Sequence, residues 1–429
     1  MSTGTIQVYS YTADEGFAVP NASITLSRTM PDGTLYTHHY QTDSSGFSSP
    51  VTVDTPPKEL SLEESNTEIP YSTYNLTATA NGYEPIYLGG IQAFAEQNSL
   101  INLAFLPHLD TSANAEAASF RALPDTATIP AHQLYANTGA PFSRAPLAPC
   151  APSGSTFVLN QVVIPTYVTV HLGTPASSAQ NVTVSFRNYI KNVASSEIYP
   201  TWPKQSLIAN IYCQISLALN RIYTEWYPSK GYNFTITNST SYDQYYVHNR
   251  NIFDSISAVV DEVFDTYIRK TGTVNPYYSE YCDGKTVSCK GLKQWGTVDL
   301  ANSGYSAINI LKYYYGTDIE LVTSTNIQSI EQSYGGTPLK IGSTGEPVRV
   351  IQRQLNRIAK NYPSLGTQTV DGVFGTTTDA VVKKFQKQFS LTQVGAHLRQ
   401  IFSQVLHNFH FFATLFSSAS TQQNNHFMY

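Results

Sequence analysis

Between residues 108 and 156 the chain is rich in Ala, Pro, Ser and Thr, and Pro141, Pro146, Pro149 and Pro152 recur every three to five residues. Proline fixes φ and has no N–H to donate, so neither a helix nor a central strand runs through such a stretch. The chain must therefore bury its apolar residues in separate units on either side. The stretch itself reads as an exposed, protease-accessible linker. At 429 residues the chain has room for about three domains.

The expected organisation is multidomain. Residues 1–107 read as a β-sandwich-like domain: Thr5 to Tyr11 alternates, Ala22 to Arg28 alternates, and further runs lie at Tyr74 to Thr79 and Leu100 to Leu106. Turns are marked by Pro31-Asp32-Gly33, Asp43-Ser44-Ser45-Gly46 and Asn81-Gly82. Residues 157–324 read as a central α+β domain. Strands are expected where Val168, Val170 and Leu172 alternate and again through Val182, Val184 and Phe186. A long helix is expected from Pro203 to about Trp226, with Leu207, Ile208, Ile211, Ile215, Leu219 and Ile222 on one stripe. Further helices are expected over Ile256–Tyr267 and from about Thr297 to Leu311, the latter interrupted near Gly304. Residues 325–339 read as a second linker and 340–395 as a small α-helical unit. Its stripes are Val348, Ile351, Leu355 and Ile358, then Ala380, Val381, Phe385 and Phe389. The Phe-rich, then Asn/Gln-rich, end over 396–429 is an atypical tail.

Charge narrows the partners. Only 13% of residues are Asp, Glu, Lys or Arg, and the net charge is −5. Nucleic-acid binding needs clustered positive charge and is not expected. No apolar run is long enough for a membrane span, and Met1 to Ser10 lacks the pattern of a secretory signal. A weakly charged, aromatic-rich surface suits neutral sugars.

Glu197 is the foremost chemical candidate, in Ala194-Ser195-Ser196-Glu197-Ile198-Tyr199-Pro200-Thr201-Trp202-Pro203. It is expected after a strand and just before the long helix. Apolar surroundings raise a carboxyl pKa by penalising the charged form, which suits a general acid. The plain alternative is a helix cap or a lysine partner. Tyr199 and Trp202 could stack on a sugar ring. Asp243 could orient the acid or substrate, or cap a turn. In Gly291 to Gly296, Gln294 could hydrogen-bond a hydroxyl or acetamido group, and Trp295 could stack or fill core. Cys282 and Cys289 lack the companions of a zinc site. Reduced thiols are expected there, with a disulfide as the alternative. No metal and no cofactor is expected.

The stretch Ser196 to Pro203 and the helix after it resemble the opening motif of the stage II sporulation protein D family. Gly291 to Gly296 and Leu311-Lys312-Tyr313-Tyr314-Tyr315-Gly316 resemble its closing motif. That family consists of lytic transglycosylases of peptidoglycan, so the resemblance implies that Glu197 is the catalytic acid. Family members often carry a Cys/His zinc site, which the matching stretch Thr237 to His248 lacks. The segment around Asp371-Gly372-Val373-Phe374-Gly375 and Val381 to Gln386 resembles a peptidoglycan-binding repeat. This implies wall-binding roles for Asp371, Gly372, Phe374 and Gly375. The whole arrangement resembles the spore cortex-lytic enzymes of clostridia. It implies a precursor in the bacterial spore, at the cortex or the coat–cortex boundary. Its partners would be glycan strands and an activating protease, with the N-terminal domain as pro-region. Two alternatives stand beside this reading: a hydrolytic muramidase using Glu197 and Asp243, and a non-catalytic wall-binding or spore-structural protein.

Overall fold

The structure is a computed structural model and describes residues 2–12, 17–106, 126–134, 162–328, 339–359 and 363–388. The prolines of the 108–156 stretch named above, Phe389 and the atypical tail lie outside these residues, as does the side chain of Ile358.

The N-terminal region is β-sheet-rich. Its strands are β1 (Ser2–Thr12), β2 (Phe17–Ala18), β3 (Ser23–Thr29), β4 (Leu35–Gln41), β5 (Val51–Thr55), β6 (Ser72–Thr79), β7 (Ile86–Ala93), β8 (Asn98–Ala104) and β9 (Thr126–Thr128). Among the described residues they form two sheets. In one, β1 pairs in parallel with β8 and antiparallel with β2 and β5. The other has the order β4-β3-β6-β7-β9. Strict alternation along β5 and β6 puts every second side chain inward. Ile6, Val8, Val51, Val53, Ile101 and Leu103 of the first sheet meet Ile24, Leu26, Leu76, Ala78, Leu88 and Ile91 of the second in one core.

Part of the stretch read as linker is built into this unit. Residues 126–128 add a parallel strand to β7, and Ile129 is buried beyond it. The approach is close. Gly90 has φ +75°, and a Cβ there would stand 2.3 Å from the Ile129 carbonyl oxygen, so only glycine fits. No proline lies between 125 and 129, so each of these residues can take its place in a strand ladder.

The central region mixes helix and strand. It runs β10 (Ile164–Pro165), β11 (Tyr167–His171), β12 (Asn181–Ser185), α1 (Phe186–Glu197), α2 (Lys204–Tyr223), β13 (Ile236–Thr237), β14 (Ile252–Phe253), α3 (Asp254–Val263), β15 (Thr266–Lys270), β16 (Tyr281–Cys282), β17 (Leu292–Lys293), α4 (Gln294–Asn302), α5 (Ala307–Tyr315), β18 (Ile319–Thr323) and β19 (Ile327–Gln328). The last strand pairs with β10, so chain as far as Gln328 belongs to this region. The helix expected through Leu311 is two helices, with Gly304 at φ +86° in the turn between them. α2 is buried on nearly every side, and α3, α4, α5 and β15 pack around it.

One expectation fails at a decisive place. The strand read through Val182, Val184 and Phe186 stops at Ser185, whose hydroxyl accepts from the Asn188 N–H at 3.2 Å and caps α1. The apolar positions then switch from period two to helical spacing. Phe186, Tyr189, Ile190 and Val193 all turn inward. Glu197 is therefore the last residue of a helix.

The two regions share a seam. Ile252 and Phe253 pair with Leu100 and Ser99 of β8. Asn251 and Gln92 exchange two hydrogen bonds, at 3.2 and 2.9 Å. Phe94 is fully buried there, with rings of Phe253, Tyr71, His132 and Tyr199 around it.

The C-terminal unit has α6 (Glu346–Ala359) and α7 (Thr376–Gln388). Val348, Ile351, Leu355, Leu365, Phe374, Val381, Val382 and Phe385 form its core.

Phe94→Ala tests the seam. Deleting a fully buried phenyl ring costs about 3–5 kcal/mol, read as a lower denaturation midpoint of the full chain. A change under about 1 kcal/mol would mean that Phe94 is not packed between the two regions.

Candidate active site

Glu197 ends α1 with its side chain fully buried. Three uncharged donors hold its carboxylate. Gln214 Nε2 and the Tyr281 hydroxyl both donate to Oε2 at 2.8 Å. The Tyr245 backbone N–H donates to Oε1 at 2.8 Å. Each donor is positioned by a different element: Gln214 by the middle of α2, Tyr281 by β16, and Tyr245 by the loop before β14.

A second layer holds the first. Gln244 Nε2 donates to the Tyr281 oxygen and to the Gln214 carbonyl, both at 3.1 Å. Its own Oε1 accepts from the Tyr189 hydroxyl at 3.0 Å. The network reaches from α1 through α2 to β16.

Burial pushes the Glu197 carboxyl up to about 7, although its three hydrogen bonds act the other way. The result is a carboxyl near the midpoint of its titration at neutral pH, the condition for giving and taking a proton.

Asp243 has a separate set of partners. Its Oδ1 accepts from Arg221 Nε at 2.8 Å. Its Oδ2 accepts from the Tyr227 hydroxyl at 2.5 Å and from the Thr237 N–H at 2.9 Å and hydroxyl at 2.7 Å. With 1% of its surface exposed, this carboxylate ties β13 and the end of α2 together.

Tyr199, Trp202 and Trp295 come together as one aromatic group. Ring centroids lie 5.0 Å apart for Trp202 and Trp295, and 5.8 and 6.0 Å apart for Tyr199 with each. Trp202 and Trp295 are buried. The Trp202 indole N–H donates to the Ser61 carbonyl at 3.0 Å, and Thr201 and Ser61 hydroxyls meet at 2.6 Å. Gln294 is also buried, at the first turn of α4.

The N-terminal region covers this group. His132 is buried against Tyr199 at 4.9 Å, and the Gln133 N–H donates to the Ser196 carbonyl at 3.2 Å, one residue before Glu197. Arg250 holds the same segment through the Pro130 carbonyl at 2.7 Å. Burial pushes the His132 imidazole well below its usual range, so it is neutral. Lys285 reaches the Glu64 carbonyl from the other side.

Cys282 and Cys289 form a disulfide, with Cα atoms 6.0 Å apart, in place of the expected reduced thiols. The fold brings them together. Parallel pairing of β16 with β17 returns the chain alongside Cys282, and Asp283 caps the intervening loop through the N–H groups of Lys285, Thr286 and Val287. Among the described residues, no cluster of three or more His, Cys, Asp or Glu side chains could hold a metal, and no helix is long and apolar enough to cross a membrane.

In the C-terminal unit Asp371 Oδ1 accepts from Gln352 Nε2 at 2.7 Å and from the Val373 N–H at 2.8 Å. The Gly372 N–H donates back to Gln352 Oε1 at 2.9 Å. Phe374 is core, and Gly375 opens α7.

Sequence reasoning did not single out Gln214, Tyr281 or Gln244. Gln214 had a signal: an amide flanked by Ile211 and Ile215 on the apolar stripe of a helix needs a buried partner. Tyr281 and Gln244 had none.

Comparison with known proteins adds one assignment. Residues 344–395 match the family described as "Putative peptidoglycan binding domain", so the chain carries a peptidoglycan-binding module. No curated protein matches the chain. Among solved structures, a mutant catechol 1,2-dioxygenase of Acinetobacter radioresistens is 12% identical, with 29% of this chain and 58% of that chain covered and a TM-score of 0.16. A chlorocatechol 1,2-dioxygenase of Pseudomonas putida is 17% identical, with 25% and 61% covered and a TM-score of 0.16. This chain thus spans about three-fifths of those enzymes, and likeness at that score carries no argument.

Two predictions follow from the geometry. A carboxyl raised from 4.5 to about 7 on folding binds its proton more tightly in the folded state. Its contribution is present below pH 4.5 and is lost as pH rises through 7. Between pH 5 and pH 8 the chain should lose about 2 to 3 kcal/mol from this group, and Glu197→Gln should remove that loss. Equal pH slopes in denaturant unfolding would refute the buried, neutral carboxyl. Replacing Cys282 and Cys289 together by Ser should cost about 2.5 kcal/mol, from loop closure across seven residues. Unchanged thermal midpoints would refute that stabilisation.

Proposed function

We propose that this protein is a precursor of a lytic transglycosylase that cleaves the N-acetylmuramic acid–N-acetylglucosamine linkage of spore cortex peptidoglycan during germination. The observation that carries the reading is Glu197, sealed among uncharged donors and raised to about 7. The module over 344–395 supports the substrate class, and the likeness of Ser196 to Pro203 to the sporulation protein D opening motif supports the reaction.

The chemistry needs one carboxyl. Neutral Glu197 gives its proton to the glycosidic oxygen as the bond from that oxygen to the anomeric carbon breaks. The carboxylate then takes the proton of the muramyl 6-hydroxyl as that oxygen bonds to the anomeric carbon. The products are a 1,6-anhydromuramyl end and a free hydroxyl on the departing glucosamine. No water is consumed, and Glu197 returns to its starting state. Tyr199, Trp202 and Trp295 would offer ring faces to the sugars, with Gln294 as a polar partner.

The covered site fits a precursor. Ser61, Phe94, His132 and Gln133 lie over the segment that carries Glu197, Tyr199 and Trp202. A cut by an activating protease in the Pro-rich stretch, followed by parting of the seam, would uncover it.

The same burial favours a second reading, a non-catalytic wall-binding protein in which Glu197 is a structural carboxyl. Peptidoglycan digested with the protease-processed protein distinguishes them. Anhydromuramyl ends, detected by mass spectrometry and abolished by Glu197→Gln in a variant that still binds the wall, are the expected result. Reducing ends, or release unchanged by Glu197→Gln, would overturn the transglycosylase reading.

A further inference from the structure

Gln214 sits in the middle of α2, with none of its side chain exposed. Its amide nitrogen donates to Glu197 Oε2 at 2.8 Å. Its amide oxygen, equally buried, has no hydrogen-bond partner among the described residues. That is unusual, because buried amides ordinarily satisfy both ends. An unpaired buried carbonyl costs about 1–3 kcal/mol. The orientation of this amide is consequently set at one end only, by Glu197.

The two ends of an amide have opposite hydrogen-bonding character and nearly the same shape. While Glu197 is a carboxylate it needs donors, and the nitrogen faces it. When Glu197 is protonated, its O–H needs an acceptor. The backbone N–H of Tyr245 cannot supply one. The Tyr281 oxygen already accepts from Gln244. Turning the Gln214 amide over presents its oxygen to the Glu197 proton. It breaks no bond to a described residue at the far end, because none is made there.

We infer that Gln214 is a positioning residue whose amide turns over as Glu197 gains and loses its proton, so that the acid stays hydrogen-bonded in both states of its cycle. The inference rests on the reading of Glu197 as acid and then base, but concerns a different residue and has its own readout. A donor fixed in place would favour the carboxylate and resist the second proton transfer. An amide that turns serves proton donation and proton return alike.

The test uses the full chain with 15N-labelled glutamine side chains. The Gln214 amide signal is identified by its absence in Gln214→Met. Expected is a shift of that signal with pH following a single midpoint, and no pH dependence in Glu197→Gln. A signal that stays still from pH 5 to pH 9, or that titrates equally in Glu197→Gln, would overturn the inference. The wild-type titration carries the test if Gln214→Met folds poorly, with the signal then assigned through Gln214→Asn. The processed enzyme gives a second readout. Gln214→Met should lower kcat about tenfold on both sides of the pH optimum, since both proton transfers lose a partner. A loss confined to the alkaline side would show a fixed donor and overturn the turning amide. A still amide alongside anhydromuramyl products would sink this inference and leave the transglycosylase reading intact. A titrating amide without such products would do the reverse.

Discussion

The burial of Glu197 with no cationic partner among the described residues is the constraint around which the central region is organised. A carboxyl taken out of water must find donors or hold its proton, and this one does some of each. Its three donors come from α2, β16 and the loop before β14. Those elements must meet at the end of α1 for the group to be tolerated. Much of the surrounding polar core serves that meeting: Gln244 bridges Gln214 and Tyr281, and Tyr189 fixes Gln244.

The seam follows from the same place. The loop Ile198 to Pro203 carries two prolines and two aromatic rings, and both rings meet the N-terminal region as well as Trp295. Ser61 takes the Trp202 N–H, and Phe94 and His132 close over Tyr199. β14 crosses into the N-terminal sheet and gives the contact a backbone component. The first hundred residues thus share a core with the region that holds Glu197. They are joined to it through sheet pairing and side chains as well as through the connecting chain.

Much of this was legible in the sequence. Alternation gave the β-rich N-terminal region, because strands such as β5 and β6 bury one face and leave the other wet. The stripe from Leu207 to Ile222 gave α2, and the loop at Asp371 to Gly375 gave the module that binds peptidoglycan. The failures have physical causes. Val182 and Val184 alternate up to Phe186, and a serine cap looks like one more strand residue, so α1 was hidden behind its own start. The strand at 126–128 is three residues long and is stabilised by its neighbour β7, which no local pattern records. The disulfide depends on β16 and β17 pairing across a loop. Glu197, Tyr199 and Trp202 could be considered together because they are close in sequence, whereas Tyr281 lies 84 residues from its partner.

The central claim is that Glu197 is a sealed carboxyl poised to exchange its proton near neutral pH. Its most direct measure is the titration of the Glu197 side-chain carboxyl in the full-length protein, followed by 13C NMR and assigned with Glu197→Gln. The account predicts a midpoint near 7. A midpoint at the ordinary value of 4.5 would contradict it.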